Sequence, residues 1–475
     1  MSSSKPDDIA LQATAVSPAT LSQPESWNPH NWSPVKKAYI SVGIVLASFT
    51  PIVSNSAYVA SVYGVQARFQ VSITVSLLRI SLYAIGFAVG PALASTASEL
   101  FGRQWLIKGS LFLCLIFTVV SGSATTFRTM IVARGLAGIS VSASITPLLG
   151  VCNDLYNKEQ EVKRDTLISF YGIAQLWASV LGPTIGESIV TSHGGEWRWT
   201  FWLIAILLGT ALLWLLPLPE THKPEMRQKS ARRQDLQGRN TLSILIKMLM
   251  VEQIVLPCAL MVALNQTIFF VLYVAIPVGF GREYHFSNYH IGLCFLAFFV
   301  GSVIGLVFLR VCDVRLAVPK ERQRLAAASG DRFSNPRERL YGAMIGVILQ
   351  PISLFWFAWT CRHDIHWIVP LLSLVFFGMA YVLLQLGVPM YKNVIYAAQF
   401  GASALAPDLM LRFGLSSSFP LFTPHMIDKL TFGWTISLFA FLSIPVAVLP
   451  FVIYRHGDKM LERSKYLRSS QNNIE

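Results

Sequence analysis

The chain has 475 residues, of which 53% are hydrophobic and only 13% carry a charged side chain. Average soluble domains are roughly 25% charged, so this composition excludes an ordinary soluble globular protein. The net charge of +13 comes from Lys and Arg in short segments between apolar blocks, which favours a role in membrane topology over a nucleic-acid partner. The six cysteines form no CxxC pair and predict neither a disulfide framework nor a metal site.

The first 35 residues are polar and rich in Ser, Pro and Ala. No apolar core precedes residue 38, so this segment does not have the pattern of a cleaved signal peptide. We expect 1–35 to form a disordered cytoplasmic tail, because such a composition buries too little apolar surface to fold.

Twelve apolar stretches follow, each long enough to cross a bilayer as a helix, and they predict an all-α membrane protein with twelve transmembrane helices. Spans 1 to 6 are predicted at Ala38–Ser56, Val71–Ala94, Trp105–Ser123, Phe127–Tyr156, Thr166–Val190 and Trp199–Pro217. Spans 7 to 12 are predicted at Gln253–Phe280, Ile291–Leu309, Leu340–Thr360, Trp367–Tyr391, Gly401–Phe422 and Phe432–Tyr454.

A long basic connector after span 6 divides the spans six plus six, as expected for two bundles that rock around a central site. The predicted units are a six-helix bundle at 36–218, a cytoplasmic loop at 219–250, a second six-helix bundle at 251–454 and a cytoplasmic tail at 455–475. The side holding both termini carries 29 Lys and Arg, with Lys392 among them, and the other side carries 6. The basic side is therefore predicted to be cytoplasmic.

Three further arginines, Arg79, Arg134 and Arg412, lie inside predicted spans. A charge at that depth is costly unless it faces protein or a water-filled cavity, so an intramembrane Arg is a candidate functional residue. The alternative for Arg134 is a side chain that extends to the membrane surface from near a helix end. We favour a buried functional role for Arg134 in span 4.

Several motifs occur in one order along the chain. Gly90–Gln104 has the sequence GPALASTASELFGRQ, span 4 carries Arg134 followed by Gly138, and Leu181–Glu187 has the sequence LGPTIGE. This order resembles the major facilitator superfamily, and in particular its fungal drug:proton antiporter branch. The chain departs from that pattern at Gln104, where a second Arg is usual, and at Glu187, where a second Gly is usual. The similarity covers nearly the whole chain from Trp27.

The resemblance implies the major facilitator fold, with two six-helix bundles, and an export role for a drug, toxin or secondary metabolite. It also implies a monomer in the plasma membrane, more than in the vacuolar membrane, whose partners are a small organic substrate, protons and membrane lipid, with no cofactor. The antiporter motif would lie at Gly182, Pro183 and Gly186, where small residues let a helix bend and pack closely. Glu99 and Arg103 would form a cytoplasmic charge latch.

Protons need a titratable carrier, and span 1 contains no Asp or Glu. Glu187, near the outer end of span 5, is the best candidate, with a solvated residue at the cavity mouth as its alternative. Asp154 more simply caps or anchors the end of span 4, and Glu252 does the same at the start of span 7. Asp408 is expected to pair with Arg412 four residues along the same helix. Arg134 would respond to protonation of a nearby acid.

Substrate contacts are expected from one stripe on each central span. Residues four apart share a helix face, and such faces here combine aromatic rings with neutral hydrogen-bonding groups, which suits amphipathic or aromatic ligands. Helix packing is the alternative explanation for each of them. The predicted contact residues are Asn55 and Tyr58 in span 1, Asn265, Phe269 and Tyr273 in span 7, and Tyr381, Gln385 and Asn393 in span 10.

Other functions have weaker support in the sequence. His363, Asp364 and His366, or His285 and His290, suggest a metal-dependent membrane enzyme, but they lie in short outer loops without a further ligand set. No Walker sequence is present, which argues against ATP-driven pumping. A proton-coupled importer and a non-transporting membrane sensor on the same scaffold remain open, because a fold does not establish flux.

Overall fold

The structure is a computed structural model, and it describes residues 29–156, 160–221, 249–317, 337–396 and 401–462. The predicted tail before residue 29 and most of the central loop lie outside these residues. The described chain is helical and contains no strand. Its first seven helices are α1 (Pro34–Ser56), α2 (Val62–Phe69), α3 (Ile73–Phe101), α4 (Arg103–Ser123), α5 (Phe127–Asp154), α6 (Glu161–Ser192) and α7 (Arg198–Leu215).

The second half of the described chain contributes eight helices. They are α8 (Val255–Tyr284), α9 (Asn288–Cys312), α10 (Tyr341–Thr360), α11 (Ile368–Tyr396), α12 (Gly401–Ser416), α13 (Phe419–Leu430), α14 (Phe432–Ala447) and α15 (Leu449–Glu462). Short turns of other helix types connect α1 to α2, follow α9 and precede α10, at Ala57–Ser61, Asp313–Ala317 and Arg337–Leu340 respectively.

Ten helical segments of the described chain are long and apolar enough to cross a membrane. The 32-residue α6 and the pair α12–α13 occupy the positions of predicted spans 5 and 11, which completes the twelve spans. Span 11 was predicted to be continuous to Phe422, but the helix breaks after Ser416. Span 1 was predicted to end at Ser56, but its apolar segment continues to Phe69 because the chain passes through Ala57–Ser61 without leaving helical geometry.

The helices form two bundles that correspond to the two halves of the chain. Within each bundle the same pair of positions makes the closest crossing, α3 with α5 and α9 with α11. A Cβ on Gly138 would lie 2.4 Å from the Tyr83 carbonyl oxygen, and a Cβ on Gly301 would lie 1.9 Å from that of Val375. Glycine is required where two backbones approach this closely. The matching crossings indicate that the two bundles are built alike.

The bundles meet along two lines, with α6 packed on α9 and α3 packed on α12 and α13. We call the side at which α5 ends and α6 begins the inner side, which is the side the Lys and Arg count predicts to be cytoplasmic. The direction of the chain then assigns an inner and an outer half to every spanning helix. Positions along each spanning helix are given below as inner half or outer half.

Candidate functional site

A cavity lies in the inner half, between α5 and α6 of the first bundle and α8, α11 and α12 of the second, and its space is about 1090 Å³ when the open solvent at its mouth is included. Most of the exposed surface of its wall is apolar, although half of the lining residues have a polar side chain. The polar side chains in the lining are Thr146, Ser169, Tyr171, Gln175, Ser179, Tyr381, Gln385, Asn393, Asp408 and Arg412.

The outer half above the cavity is closed by contacts between the bundles. The Tyr273 hydroxyl donates to the Ser179 carbonyl at 2.7 Å, and the Thr184 hydroxyl donates to the Gly292 carbonyl at 2.7 Å. Ring packing adds to these contacts, because the Phe413 and Phe87 centroids are 4.5 Å apart. These contacts separate the inner cavity from a second space of about 690 Å³ at the outer end, which is lined by Glu187 and Asn288 among others.

A network of amide and phenol groups forms part of the site at the deep end of the cavity. The Gln266 side-chain oxygen accepts hydrogen bonds from the Tyr381 hydroxyl at 3.0 Å and from the Gln385 amide at 2.8 Å. Asn265 donates to the Tyr381 carbonyl at 3.1 Å and accepts from Gln350 at 2.9 Å. The sequence stripe selected Asn265 and missed Gln266, the neighbour that contacts the cavity-lining residues.

The eight predicted substrate residues separate into three groups. Tyr381, Gln385 and Asn393 line the cavity. Asn55 and Tyr273 line a smaller space of about 260 Å³ between the bundles, together with Gln266. The lining of the main cavity does not include the remaining three, which are buried in helix packing: Tyr58, Asn265 and Phe269.

The positions and pairing of three charged side chains, which we call the basic cluster, differ from the prediction: Lys392, Asp408 and Arg412. Lys392 was counted with the cytoplasmic loop charges, but it is fully buried in α11 and forms an ion pair with Asp408 of α12. Asp408 was expected to form an ion pair with Arg412 of its own helix, but its ion-pair partner is Lys392 of the other helix. Arg412 lines the cavity with its guanidinium carbon 4.7 Å from the Phe413 ring centroid.

Arg134 is fully buried in the outer half of the first bundle, so it does not reach the membrane surface. Its guanidinium donates to the Ser54 hydroxyl at 2.8 Å and also to the Ser54 carbonyl in α1. The guanidinium carbon lies 4.3 Å from the Tyr83 ring centroid and 5.8 Å from that of Tyr58. Arg134 thus connects α5 to α1 and α3.

Arg79 of α3 shares this aromatic surrounding. It is fully buried, and its guanidinium carbon lies 4.3 Å from the Tyr58 ring centroid and 4.9 Å from that of Phe201. None of its three side-chain nitrogens has a hydrogen-bond partner among the described residues. No described carboxylate forms an ion pair with Arg79 or Arg134. The acid expected beside Arg134 is therefore not present among the described residues in this conformation.

The antiporter motif lies where α6 packs against the end of α1. A Cβ on Gly182 would lie 1.8 Å from the Ser56 hydroxyl oxygen, and one on Gly186 would lie 2.5 Å from the Ala57 carbonyl oxygen. Pro183 is inside α6 between these contacts. Glu187 lies next to them at the outer end, where it is buried against α9, 2.7 Å from the position that a Cβ on Gly292 would take. One of its carboxylate oxygens has no partner among the described residues.

One of the two residues of the predicted latch, Arg103, begins α4 at its inner end. Arg103 forms an ion pair with Asp154 at the end of α5, and its backbone N–H donates to the Glu220 carboxylate at 3.1 Å. The side chain of Glu99 lies outside the described part of the structure. Both of these partners belong to the first half of the chain, so the contacts of Arg103 seen here stay within one bundle.

Residues 38–406 match the sequence profile described as the Major Facilitator Superfamily. The chain belongs to this superfamily. It is a multi-pass membrane transporter and not an enzyme. The inner-half cavity between the two six-helix bundles is thus the candidate transport site of a major facilitator protein.

Named relatives and a solved structure agree with this assignment. Polyamine transporter 4 of Saccharomyces cerevisiae is 29% identical, over 92% of this chain and 71% of the relative. The MFS-type efflux pump MFS2 of Trichophyton rubrum is 31% identical, over 92% of this chain and 75% of the relative. The fold also matches the xylose transporter XylE from E. coli in a partially occluded inward open conformation, with a TM-score of 0.62 and 16% identity, over 88% of this chain and 99% of XylE.

Proposed function

We propose that this protein exports a small amphipathic or aromatic organic compound by alternating access, in exchange for protons. The observation that carries the proposal is the inner-half cavity, whose mostly apolar surface with interspersed polar side chains suits such a ligand. A substrate that enters from the inner side would be released when the outer contacts between α6 and α9 separate. By resemblance, we assign this activity to the plasma membrane.

The charges in the cavity favour a neutral or acidic compound over a polycation. Asp408 supplies the only carboxylate among the described residues of the lining, and it is already paired with Lys392. The second oxygen of Asp408 is buried, so a polyamine would find no accessible carboxylate among the described residues of this wall. The name of one relative includes polyamine transport, and the ion pair at Asp408 is the reason that we do not extend that substrate to this chain.

Proton coupling is assigned to Glu187 because of its position in the outer contact. A buried carboxylate without a partner is costly, so the contact between α6 and α9 should form more readily when Glu187 carries a proton. Glu187 lines the space at the outer end, and separation of α6 from α9 would open its buried oxygen to outer water and let it exchange that proton. Arg134 would bias the two states by holding α5 to α1.

Efflux from reconstituted vesicles tests this proposal. The protein would be inserted in liposomes loaded with a panel of labelled aromatic compounds, and release would be followed with and without an imposed pH gradient. We expect gradient-driven release of amphipathic compounds and little release of sugars or polyamines. Replacing Glu187→Gln should remove the dependence on the gradient.

Exposed Glu196→Gln, which changes the same charge on the outer side, is the matched control and should retain gradient dependence. Strict preference for a sugar or a polycation would contradict the proposed substrate class. Uptake in place of release would identify an importer, and absence of flux for every compound in the panel would favour a sensor. Release by Glu187→Gln that still follows the gradient would remove Glu187 from proton coupling.

A further inference from the structure

The lining of the cavity contains one arginine, and the carboxylate on its own helix forms an ion pair with a lysine of another helix. Arg412 lies in the lining of α12, and its side chain makes no hydrogen bond or ion pair with a described residue. Its guanidinium is only partly accessible and rests near the Phe413 ring. A charged group in an apolar site without a partner is unfavourable, so this position is suited to an anion that arrives with the ligand.

The neighbouring ion pair explains why Arg412 has no partner. Asp408 and Arg412 are four residues apart on one helix, which is the spacing at which opposite charges attract each other. Lys392 of α11 is fully buried and pairs with one oxygen of the Asp408 carboxylate, and the other oxygen is buried without a hydrogen-bond partner among the described residues. The three side chains together carry one net positive charge, and Arg412 and Asp408 are the two of them that line the cavity.

We propose that the transported ligand is an organic acid whose carboxylate binds to the guanidinium of Arg412. This inference rests on the proposed function and narrows its substrate class. The planar guanidinium presents parallel N–H groups to a carboxylate, which a lysine ammonium does not. The aromatic or aliphatic body of the ligand would lie on the apolar wall made by Leu149, Leu176 and Val262.

Matched pairs of an acid and its amide test the inference on purified full-length protein. The first pair is 4-phenylbutyrate and 4-phenylbutyramide, which share the apolar body and differ in charge, followed by larger aromatic acids and their amides. Binding would be measured from ligand-induced shifts in melting temperature over a concentration series. Wild-type protein is expected to prefer the acid of each bound pair by about tenfold, since hydrogen bonds to charged groups contribute at that level.

Arg412→Gln is expected to lose this preference while keeping amide binding, and Arg412→Lys to retain part of it. Arg282→Gln removes an exposed arginine that pairs with Asp428 on the outer surface, and it should behave as wild type. An unchanged preference for the acid in either variant overturns the inference. Arg412→Lys therefore provides the test if Arg412→Gln does not fold.

Competition with inorganic anions tests whether the site at Arg412 is specific for an organic acid or binds any small anion. Sodium chloride and sodium phosphate are expected not to displace the aromatic acids at millimolar concentrations, and displacement by either would show a site for small anions and overturn the inference. Equal binding of acids and amides, or binding of no acid in the panel, would also overturn it. Vesicle efflux of the amides would leave the proposed function intact in those cases, whereas loss of all efflux would remove the proposed function itself.

Discussion

Arginine side chains lie within the spanning helices in two regions, and the surroundings of the two regions differ. In the outer half of the first bundle, Arg79 and Arg134 are enclosed by aromatic rings, and no described carboxylate pairs with them. In the inner half of the second bundle, Arg412 lines a cavity beside the ion pair of Lys392 and Asp408. The first region has rings and hydrogen bonds, and the second has an ion pair and space for a ligand.

This difference separates a structural use of arginine from a binding use. A cation over an aromatic face gains about 0.5–2 kcal/mol, whereas desolvation costs several kcal/mol per ion. The rings around Arg79 and Arg134 therefore offset only part of that cost, and the surrounding fold must supply the rest. Burial alone does not mark a ligand site. An arginine is better assigned to a ligand when it lines a cavity and the nearest carboxylate is already paired.

The largest effect on stability is expected from Lys392→Met. The substitution leaves Asp408 buried without its partner, and breaking a buried pair costs about 3–5 kcal/mol. Any rearrangement that brings Asp408 to Arg412 would occupy the proposed anchor and abolish the preference for acids. Melting temperature and binding of 4-phenylbutyrate measure the two consequences.

The double variant Lys392→Met with Asp408→Asn is the control, because it removes both charges of the pair. Its melting temperature should recover most of the loss. A Lys392→Met variant as stable as wild type would show that the buried pair does not hold α11 to α12. The proposed difference between the two arginine regions would then lack its evidence in the second bundle.

A smaller change in stability and a large change in transport are expected from Arg134→Met. The variant loses the hydrogen bonds from Arg134 to Ser54, and bonds to charged groups contribute about 1.5–3 kcal/mol each. It also removes a costly buried charge, so the net loss of stability should be less than for Lys392→Met. Gradient-driven efflux in vesicles should fall about tenfold or more, which corresponds to roughly 1.4 kcal/mol.

Arg79→Met is the matched control within the same aromatic surrounding. Arg79 has no hydrogen bond to lose among the described residues, so this variant should keep most of the efflux and have a melting temperature equal to or above wild type. Full gradient-driven activity in Arg134→Met, with normal expression, would show that Arg134 does not bias the access states.

The spans and the six-plus-six division followed from apolar length and the ordered motifs, because a bilayer requires about 20 apolar residues per helix. The sequence did not predict which residues of each helix face the cavity. Helix α8 is apolar on all sides and buried over most of its length, so its sequence contains no polar face that distinguishes Asn265 from Gln266. The close helix contacts at the motif glycines could be predicted from the sequence, because few other residues fit where two backbones cross closely.

The basic cluster was missed because its partners are far apart in sequence. Lys392 stands in a polar run, YKN, that has the composition of a loop, and only the packing of α11 against α12 reveals that it is buried beside Asp408. Spacing along one helix identified Arg412 as the partner of Asp408, because a pattern of four residues contains no information about a second helix. Charge pairing between helices required the structure.

The smallest effect is expected at the inner surface, where Asp154 pairs with Arg103. The side chains are 24% and 19% exposed, and an ion pair in contact with water contributes about 1 kcal/mol or less, so Asp154→Asn should lower the melting temperature slightly and less at high salt. Asp428→Asn, whose pair with Arg282 is more exposed at 60% and 62%, is the control and should change it less still. A contradicting result would be an Asp154→Asn variant whose melting temperature falls as much as that of Lys392→Met and does not depend on salt. The pair of Asp154 and Arg103 would then behave like the buried pair of Lys392 and Asp408, and access to water would not explain the difference between the two pairs.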